Sequence, residues 1–267
     1  MRGGAVSYGG GVTNPTPVRP RMTAFDLDDT LAPSKAPLPD PVREALLGLL
    51  GVSEVCVISG GQIEQFRTQL VARLGDLPDA LAARLHLMPT CGTQYWRLTS
   101  DGLTCVYAED LTEDEKSRAM AAVEEEAKRL DLWAAETWGP ALEDRGSQIT
   151  YSALGQQAPL DAKKAWDPTG EKKNRLRAAV QDRLPDLEVR SGGSTSVDIT
   201  RQGIDKAYGM RRLAELTGIP FEETLFVGDR LDPDGNDYPV KALGVPTVAV
   251  EGWEDTVDVI AGVVRAF

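Results

Sequence analysis

Histidine is almost missing from this chain: His86 is the single one in 267 residues. It follows a helix-like stretch and has no partner within sequence reach. We read it as structural, which argues against chemistry built on a histidine nucleophile. Cysteine is scarce too. Cys56, Cys91 and Cys105 are widely spaced and form no CxxC pair, so they read as reduced thiols serving as small apolar residues. No apolar run approaches the roughly 20 residues of a membrane span. Positive charge is in deficit: 29 Lys and Arg stand against 41 Asp and Glu, for a net charge of −12 and a pI near 4.7. Nucleic acid and anionic membranes both call for a basic face, so neither is an expected partner. No GxxxxGK[ST] occurs, and the GGG at 9–11 follows no strand, which weakens nucleotide-fold readings. The first twenty residues lack an apolar core of the secretory kind. Their Gly and Pro content predicts a disordered tail over 1–20, and the chain is expected to be cytoplasmic.

What is present suffices for one large domain or two modest ones, since 42% of residues are hydrophobic. Thr23 to Leu27 and Val55 to Ile58 read as short buried strands. Between them, Asp40-Pro41 opens a helix carried by Val42, Ala45, Leu46, Leu49 and Leu50. Ile63, Phe66, Leu70 and Leu74 mark a second helix, closed by Gly75. Alternation of this kind predicts a parallel sheet covered by helices. The rhythm changes near Pro89. A hairpin (Gln94 to Leu98, Thr104 to Ala108), a helix opened by a Thr112/Glu115 capping box, a strand over 148–153, a basic helix over 172–184 and further strands to Thr200 suggest a separate α+β unit. The α/β rhythm then returns. The expected division is core over 21–88, inserted unit over 89–200, and core again over 201–267.

Three predicted strands run into polar or glycine-rich segments: Asp26-Leu-Asp28, Ser59-Gly-Gly61 and Gly228 to Asp237. In an open parallel sheet these ends share the ligand-binding edge, so Asp26, Asp28 and Asp229 are expected to converge. Crowded carboxylates repel one another, and a hard divalent cation removes that penalty. Mg²⁺ takes one or two carboxylates together with waters and phosphate oxygens. An aspartate can act as nucleophile on phosphorus, and a second can protonate the leaving oxygen. Ser59 and the amides of Gly60 and Gly61 can donate to phosphoryl oxygens. Lys206, at a helix start, can offset the developing charge. The acids around Gly235 imitate part of a calcium loop. A twelve-residue frame with Gly235 sixth, however, puts Arg230 first and Lys241 last, where acids are needed.

FDLDDTL, VISGG, Lys206 and VGDRLDPDGND, in that order, resemble the four motifs of the haloacid dehalogenase-like (HAD) phosphotransferases. The likeness covers nearly the whole chain after residue 21, and the insertion after the second motif resembles the HAD-IIB subgroup. It implies an α/β, Rossmann-like core with a parallel sheet and an inserted α+β cap of the C2B type. It also implies Asp26 as nucleophile, Asp28 as acid/base, and Ser59 and Lys206 as phosphoryl ligands. Mg²⁺ would sit on Asp26, the Asp28 carbonyl and Asp229, with Asp237 in support and Asn236 shaping the loop. Asp29 stands where many relatives carry glycine, so a turn-shaping role is expected of it.

One branch of the subgroup, the eukaryotic-type phosphomannomutases, is more similar still. Its fourth motif resembles Pro233-x-Gly235-Asn-Asp237, and its cap resembles Glu143-Asp-Arg145 and Ser196-Val-Asp198. This likeness implies that Arg145 holds a distal phosphate and that Ser196 and Asp198 hold sugar hydroxyls. Gln156 and Lys163 stand where arginines are expected, Lys35 replaces another in the core, and Ser59 stands where that branch has glycine. Lysine is a point charge and glutamine carries none, whereas arginine grips phosphate bidentately. A weaker distal clamp favours hydrolysis over reorientation of a bisphosphate. The expected function is therefore a Mg²⁺-dependent phosphatase of a small phosphosugar or related metabolite. A phosphomutase is second, and a non-catalytic sugar-phosphate-binding protein third. A homodimer is an option that the sequence leaves open.

Overall fold

The computed structural model describes residues 19–267; the tail expected over 1–20 lies outside the described residues except for Arg19 and Pro20. The first sheet has seven strands: β1 (Met22–Phe25), β2 (Glu54–Ile58), β3 (Leu85–Met88), β4 (Gln94–Thr99), β5 (Gly102–Ala108), β10 (Thr224–Gly228) and β11 (Thr247–Ala249). The other four form a second sheet: β6 (Leu142–Asp144), β7 (Ile149–Ser152), β8 (Leu187–Ser191) and β9 (Ser196–Arg201). The first runs in the order β11-β10-β1-β2-β3-β4-β5, parallel from β11 to β3 and antiparallel beyond.

Alternation builds the two faces of that sheet. Phe25, Val55, Val57, Leu87 and Val227 pack with Leu46, Leu49, Ile260 and Val263, from the helices Asp40–Leu50 and Trp253–Ala266. Ala24, Cys56, Ile58 and Phe226 pack on the opposite side with Met210 and Leu213, from the helix Lys206–Thr217. All four residues of β1 are buried, as a central strand covered on both faces requires.

The hairpin over 94–108 corrects the expected boundary at 89. β4 pairs antiparallel with β3 and β5 with β4, so both strands extend the first sheet instead of joining the inserted unit. Their host strand β3 carries no strand signal in the sequence. It has four residues, too few to show a period, and follows the helical turn Asp79–Ala82 almost directly. With no strand recognised there, the hairpin had no visible edge to pair with.

The inserted unit is the antiparallel sheet β6-β7-β9-β8 covered by the helices Glu113–Arg129 and Glu171–Arg183. Ala119, Val123 and Ala127 meet Leu176 and Val180 over Ile149, Tyr151, Val189 and Ile199. The Thr112/Glu115 capping box is present: the Glu115 amide donates to Thr112 Oγ1 at 3.2 Å, and the Thr112 amide to Glu115 Oε2 at 2.7 Å. Arg201 ties the outgoing and returning connections together, donating to the Asp110 carbonyl at 2.8 Å and pairing with Glu115 at 2.9 Å. The turn between β6 and β7 docks on the first unit, where the Ser147 and Thr93 hydroxyls hydrogen-bond at 2.6 Å.

The helix Lys206–Thr217 reaches the sheet through a close glycine contact. A Cβ on Gly209 would lie 2.4 Å from Ile58 Cδ1 and 2.6 Å from the Cys91 carbonyl oxygen. Gly→Ala in an exposed helix gains up to about 1 kcal/mol. Here overpacking, at about 1–3 kcal/mol, outweighs that gain. Gly209→Ala is therefore expected to lower the thermal midpoint. A raised midpoint in calorimetry would show that the contact is slack.

Candidate active site

Four side chains from three chain segments meet at the carboxyl edge of the parallel strands. Asp26 directly follows β1, Asp229 directly follows β10, Asp237 closes the loop after β10, and Lys206 opens its helix. The Lys206 ammonium, 1% exposed, lies 2.6 Å from Asp26 Oδ1 and 2.5 Å from Asp237 Oδ1. Asp205 caps the same helix, its carboxylate accepting from the Tyr208 amide at 2.8 Å. The loop from 229 to 237 is folded tightly on itself. Asp237 Oδ2 accepts from the Arg230 amide at 3.1 Å, and a Cβ on Gly235 would stand 1.9 Å from the Arg230 carbonyl oxygen, so only glycine fits there. Thr30 Oγ1 donates to Asp229 Oδ1 at 3.3 Å.

Oxygens of Asp26, Asp229 and Asp237 all lie within 4.8 Å of one another. Three carboxylates thus surround one ammonium. Burial pushes the Asp26 carboxyl well above its ordinary range; Lys206 pulls it down, and Asp237 and Asp229 push it up again. Asp229 is raised by its own burial and by Asp237. Burial opposes the Lys206 charge, but pairing with Asp237 and Asp26 outweighs it and keeps the ammonium protonated. Hard oxygen donors with unbalanced negative charge are what a small divalent cation requires, so these residues fit Mg²⁺.

Asp28 turns away from that cluster. Asp29, at φ +60°, takes the left-handed conformation where glycine is usual and aspartate is tolerated, and its carboxylate accepts from the Ser34 amide at 3.0 Å. Asp28 Oδ1 accepts from the Lys35 amide at 2.8 Å, and Oδ2 from Gln65 Nε2 at 2.7 Å. The Ser59 hydroxyl is buried and accepts from the Gly61 amide at 3.1 Å, so that amide is spent inside the loop. The Gly60 amide makes no hydrogen bond among the described residues.

The expected cap residues each have partners in the structure. Arg145 donates from Nη1 to the Gly60 carbonyl at 3.0 Å, and its Nη2 pairs with Glu143 at 2.7 Å. Asp198 accepts from Thr150 Oγ1 at 2.8 Å; burial raises its carboxyl and Arg145 moderates the effect. Lys163 donates to the Gln156 carbonyl at 2.8 Å. Burial lowers its ammonium, repulsion from Lys35 adds to that, and Asp28 counters it. Ser196 pairs with Ser152 at 2.8 Å, within the inserted sheet. Sequence reasoning missed Gln65 and Gln69. Their i, i+4 spacing directly behind SGG was the available signal.

His86 lies away from all of this, near the start of β3. Arg97 Nη1 donates to its Nδ1 at 2.8 Å, which leaves Nε2–H facing Glu54 at 3.0 Å. Burial lowers its pKa, in keeping with a neutral structural ring. The three cysteines are free. Among the described residues no helix is long and apolar enough to cross a membrane.

An open α/β sheet with carboxylates and a buried lysine at its carboxyl edge, joined to an inserted α+β unit, defines a Rossmann-like two-unit class. The sequence profile of the haloacid dehalogenase-like hydrolases matches residues 159–239. The motif set, this fold and that partial match agree in their likeness to the haloacid dehalogenase-like hydrolases. The phosphomannomutase of Encephalitozoon cuniculi is 22% identical over 228 residues, 81% of this chain and 82% of that one. Among solved structures, an N-terminally truncated, IMP-bound IMP-nucleotidase of Plasmodium falciparum matches with a TM-score of 0.69 at 14% identity, over 94% of this chain and 70% of that one. A haloacid dehalogenase-like hydrolase of Bacteroides thetaiotaomicron matches with a TM-score of 0.62 at 17% identity, over 93% of this chain and all of that one.

Proposed function

We propose that the chain is a Mg²⁺-dependent phosphohydrolase acting on a small phosphorylated metabolite, a sugar phosphate or a related polyol phosphate. The observation that carries this reading is the pairing of Asp26 with a buried lysine beside Asp229 and Asp237. Asp26 attacks phosphorus; its carboxyl oxygen gains the phosphoryl group as the ester P–O bond breaks. Asp28 gives a proton to the departing alkoxide. It then takes a proton from the water that attacks the aspartyl-phosphate, releasing phosphate and restoring Asp26. Lys206, Ser59 and the Gly60 amide hold the phosphoryl oxygens as their charge develops. Mg²⁺, held by Asp26, Asp229 and the Asp28 carbonyl with Asp237 in support, would neutralise charge on the transferring group.

The seam between the units supplies the rest. Lys35 and Lys163 form a local basic spot in a chain of net charge −12, suited to an anionic substrate. Arg145, Asp198 and Ser196 are the candidate readers of the remainder of the molecule. Phosphate release from a panel of sugar phosphates, with Mg²⁺ or with a chelator, tests the reading. At least one ester should turn over, and chelation should stop it. Measurable binding without release from any ester would point instead to a non-catalytic binding protein.

The likeness to a phosphomannomutase supports a second reading. Given mannose 1-phosphate and a catalytic amount of a hexose bisphosphate, a mutase accumulates the 6-phosphate without free phosphate. Lys163 and Gln156 in place of arginines favour hydrolysis, so free phosphate is the expected product.

A further inference from the structure

Gln65 lies between two groups that the proposed reaction uses. Its Nε2 donates to Asp28 Oδ2 at 2.7 Å, and its Oε1 accepts from Lys35 Nζ at 2.7 Å. This arrangement has one workable sense. Reversing the amide would set its NH₂ against the ammonium and its carbonyl against the carboxylate, turning two attractions into two repulsions. The side chain also passes directly over Gly61, where an added Cβ would stand 2.2 Å from Gln65 Oε1. Glycine at 61 is thus what lets the amide reach Asp28.

One helical turn on, Gln69 braces the same region. Its Nε2 donates to the Ala36 carbonyl at 2.7 Å and approaches Asp28 Oδ1 at 3.4 Å. The helix takes a π turn over Arg67–Val71, and the Gln69 carbonyl accepts from the Leu38 amide at 2.8 Å. The loop that carries Lys35 is therefore pinned by Gln69 at both Ala36 and Leu38. Both oxygens of Asp28 are held from outside the motif that contains it, while its side chain remains 24% exposed and open to a substrate.

We propose that Gln65 is the positioning residue for Asp28, fixing its carboxyl group in line with the leaving oxygen, and that Lys35 sets which way the Gln65 amide faces. The inference rests on the reading of Asp28 as acid/base given above. Displacing a proton donor by about 1 Å costs about 10²-fold in rate, and the whole of general acid catalysis is worth about 10²–10⁴-fold.

The test compares an alkyl phosphate, whose leaving oxygen needs a proton, with p-nitrophenyl phosphate, whose leaving group departs without one. The quantity read is kcat/KM, which covers steps up to departure of the leaving group and omits the shared hydrolysis of the aspartyl-phosphate. In Gln65→Leu and in Gln65→Met, alkyl phosphate turnover should fall about 10–100-fold, and the aryl-to-alkyl ratio should rise about tenfold or more. An unchanged ratio in both variants overturns the proposal, whether activity is kept or lost. So does a failure of the near-isosteric Gln65→Met to fold, which would make the residue structural. Asp28→Asn, run on the same two esters, separates the two claims. If it leaves alkyl phosphate turnover intact, the acid/base reading fails. If it raises the ratio and the Gln65 variants do not, only the positioning role fails.

Discussion

Asp26→Asn is expected to lower turnover of every phosphate ester by about 10⁴-fold or more while leaving the fold in place. Asparagine has nearly the same size, so no cavity opens beside β1. It removes the attacking oxygen without removing the hydrogen-bonding shape. It also takes one of three crowded carboxylates out of the cluster, and Lys206 keeps Asp237 as a partner 2.5 Å away. Burial already pushes the Asp26 carboxyl well above its ordinary range, so losing its charge relieves strain instead of adding any. The thermal midpoint should therefore hold or rise slightly. Phosphate release and calorimetry on the same preparation decide the matter: turnover within tenfold of the parent would remove Asp26 from the role of nucleophile.

Lys206→Met should do damage of another kind, taking stability as well as activity. Methionine has similar length and fills the space, but it leaves Asp26 and Asp237, 4% and 0% exposed, without their shared cation. Breaking a buried pair on one side costs about 3–5 kcal/mol. For a chain of this size that corresponds to a fall of about 10 °C in the thermal midpoint. The deficit should depend on pH. A carboxyl raised in the folded state binds a proton more readily there than in the unfolded chain, so stability grows as pH falls through the folded value. Asp26 is already raised, and loss of the lysine, its largest lowering influence, raises it further. The gap between variant and parent should narrow from pH 7 towards pH 5. A midpoint within about 2 °C of the parent at pH 7 would mean that the cluster is not held by charge.

The two substitutions probe different terms in one site. The first removes a reacting atom, and the second removes the counter-charge that makes the burial of that atom tolerable. Short runs such as VISGG, with apolar residues passing into Ser and Gly, are local events. They marked strand ends and loop residues without any knowledge of neighbours. Motif order then supplied a family resemblance and the α/β class, and the structure has that class. Asp29 was equally legible as a turn-shaping residue, because a left-handed position is a property of one residue and its neighbours.

The hairpin over 94–108 was legible as a hairpin but not as part of the first sheet. Pairing is a choice among edges, and the edge it chose, β3, is four residues long and carries no period of its own. Gln65 and Gln69 escaped notice for a related reason: an amide on a helix has no meaning until the carboxylate it faces is known, and Asp28 is 37 residues away from Gln65 in sequence. By itself the sequence determined which carboxylates and which lysine were available, and that they sit at strand ends and a helix start. Only the tertiary structure decided that Lys206 lies between Asp26 and Asp237, that Arg145 reaches the Gly60 carbonyl, and that Gln65 joins Lys35 to Asp28. Those contacts close loops of tens to hundreds of residues. They depend on how packed faces such as Gly209 against Cys91 bring the segments together, and no local pattern records that.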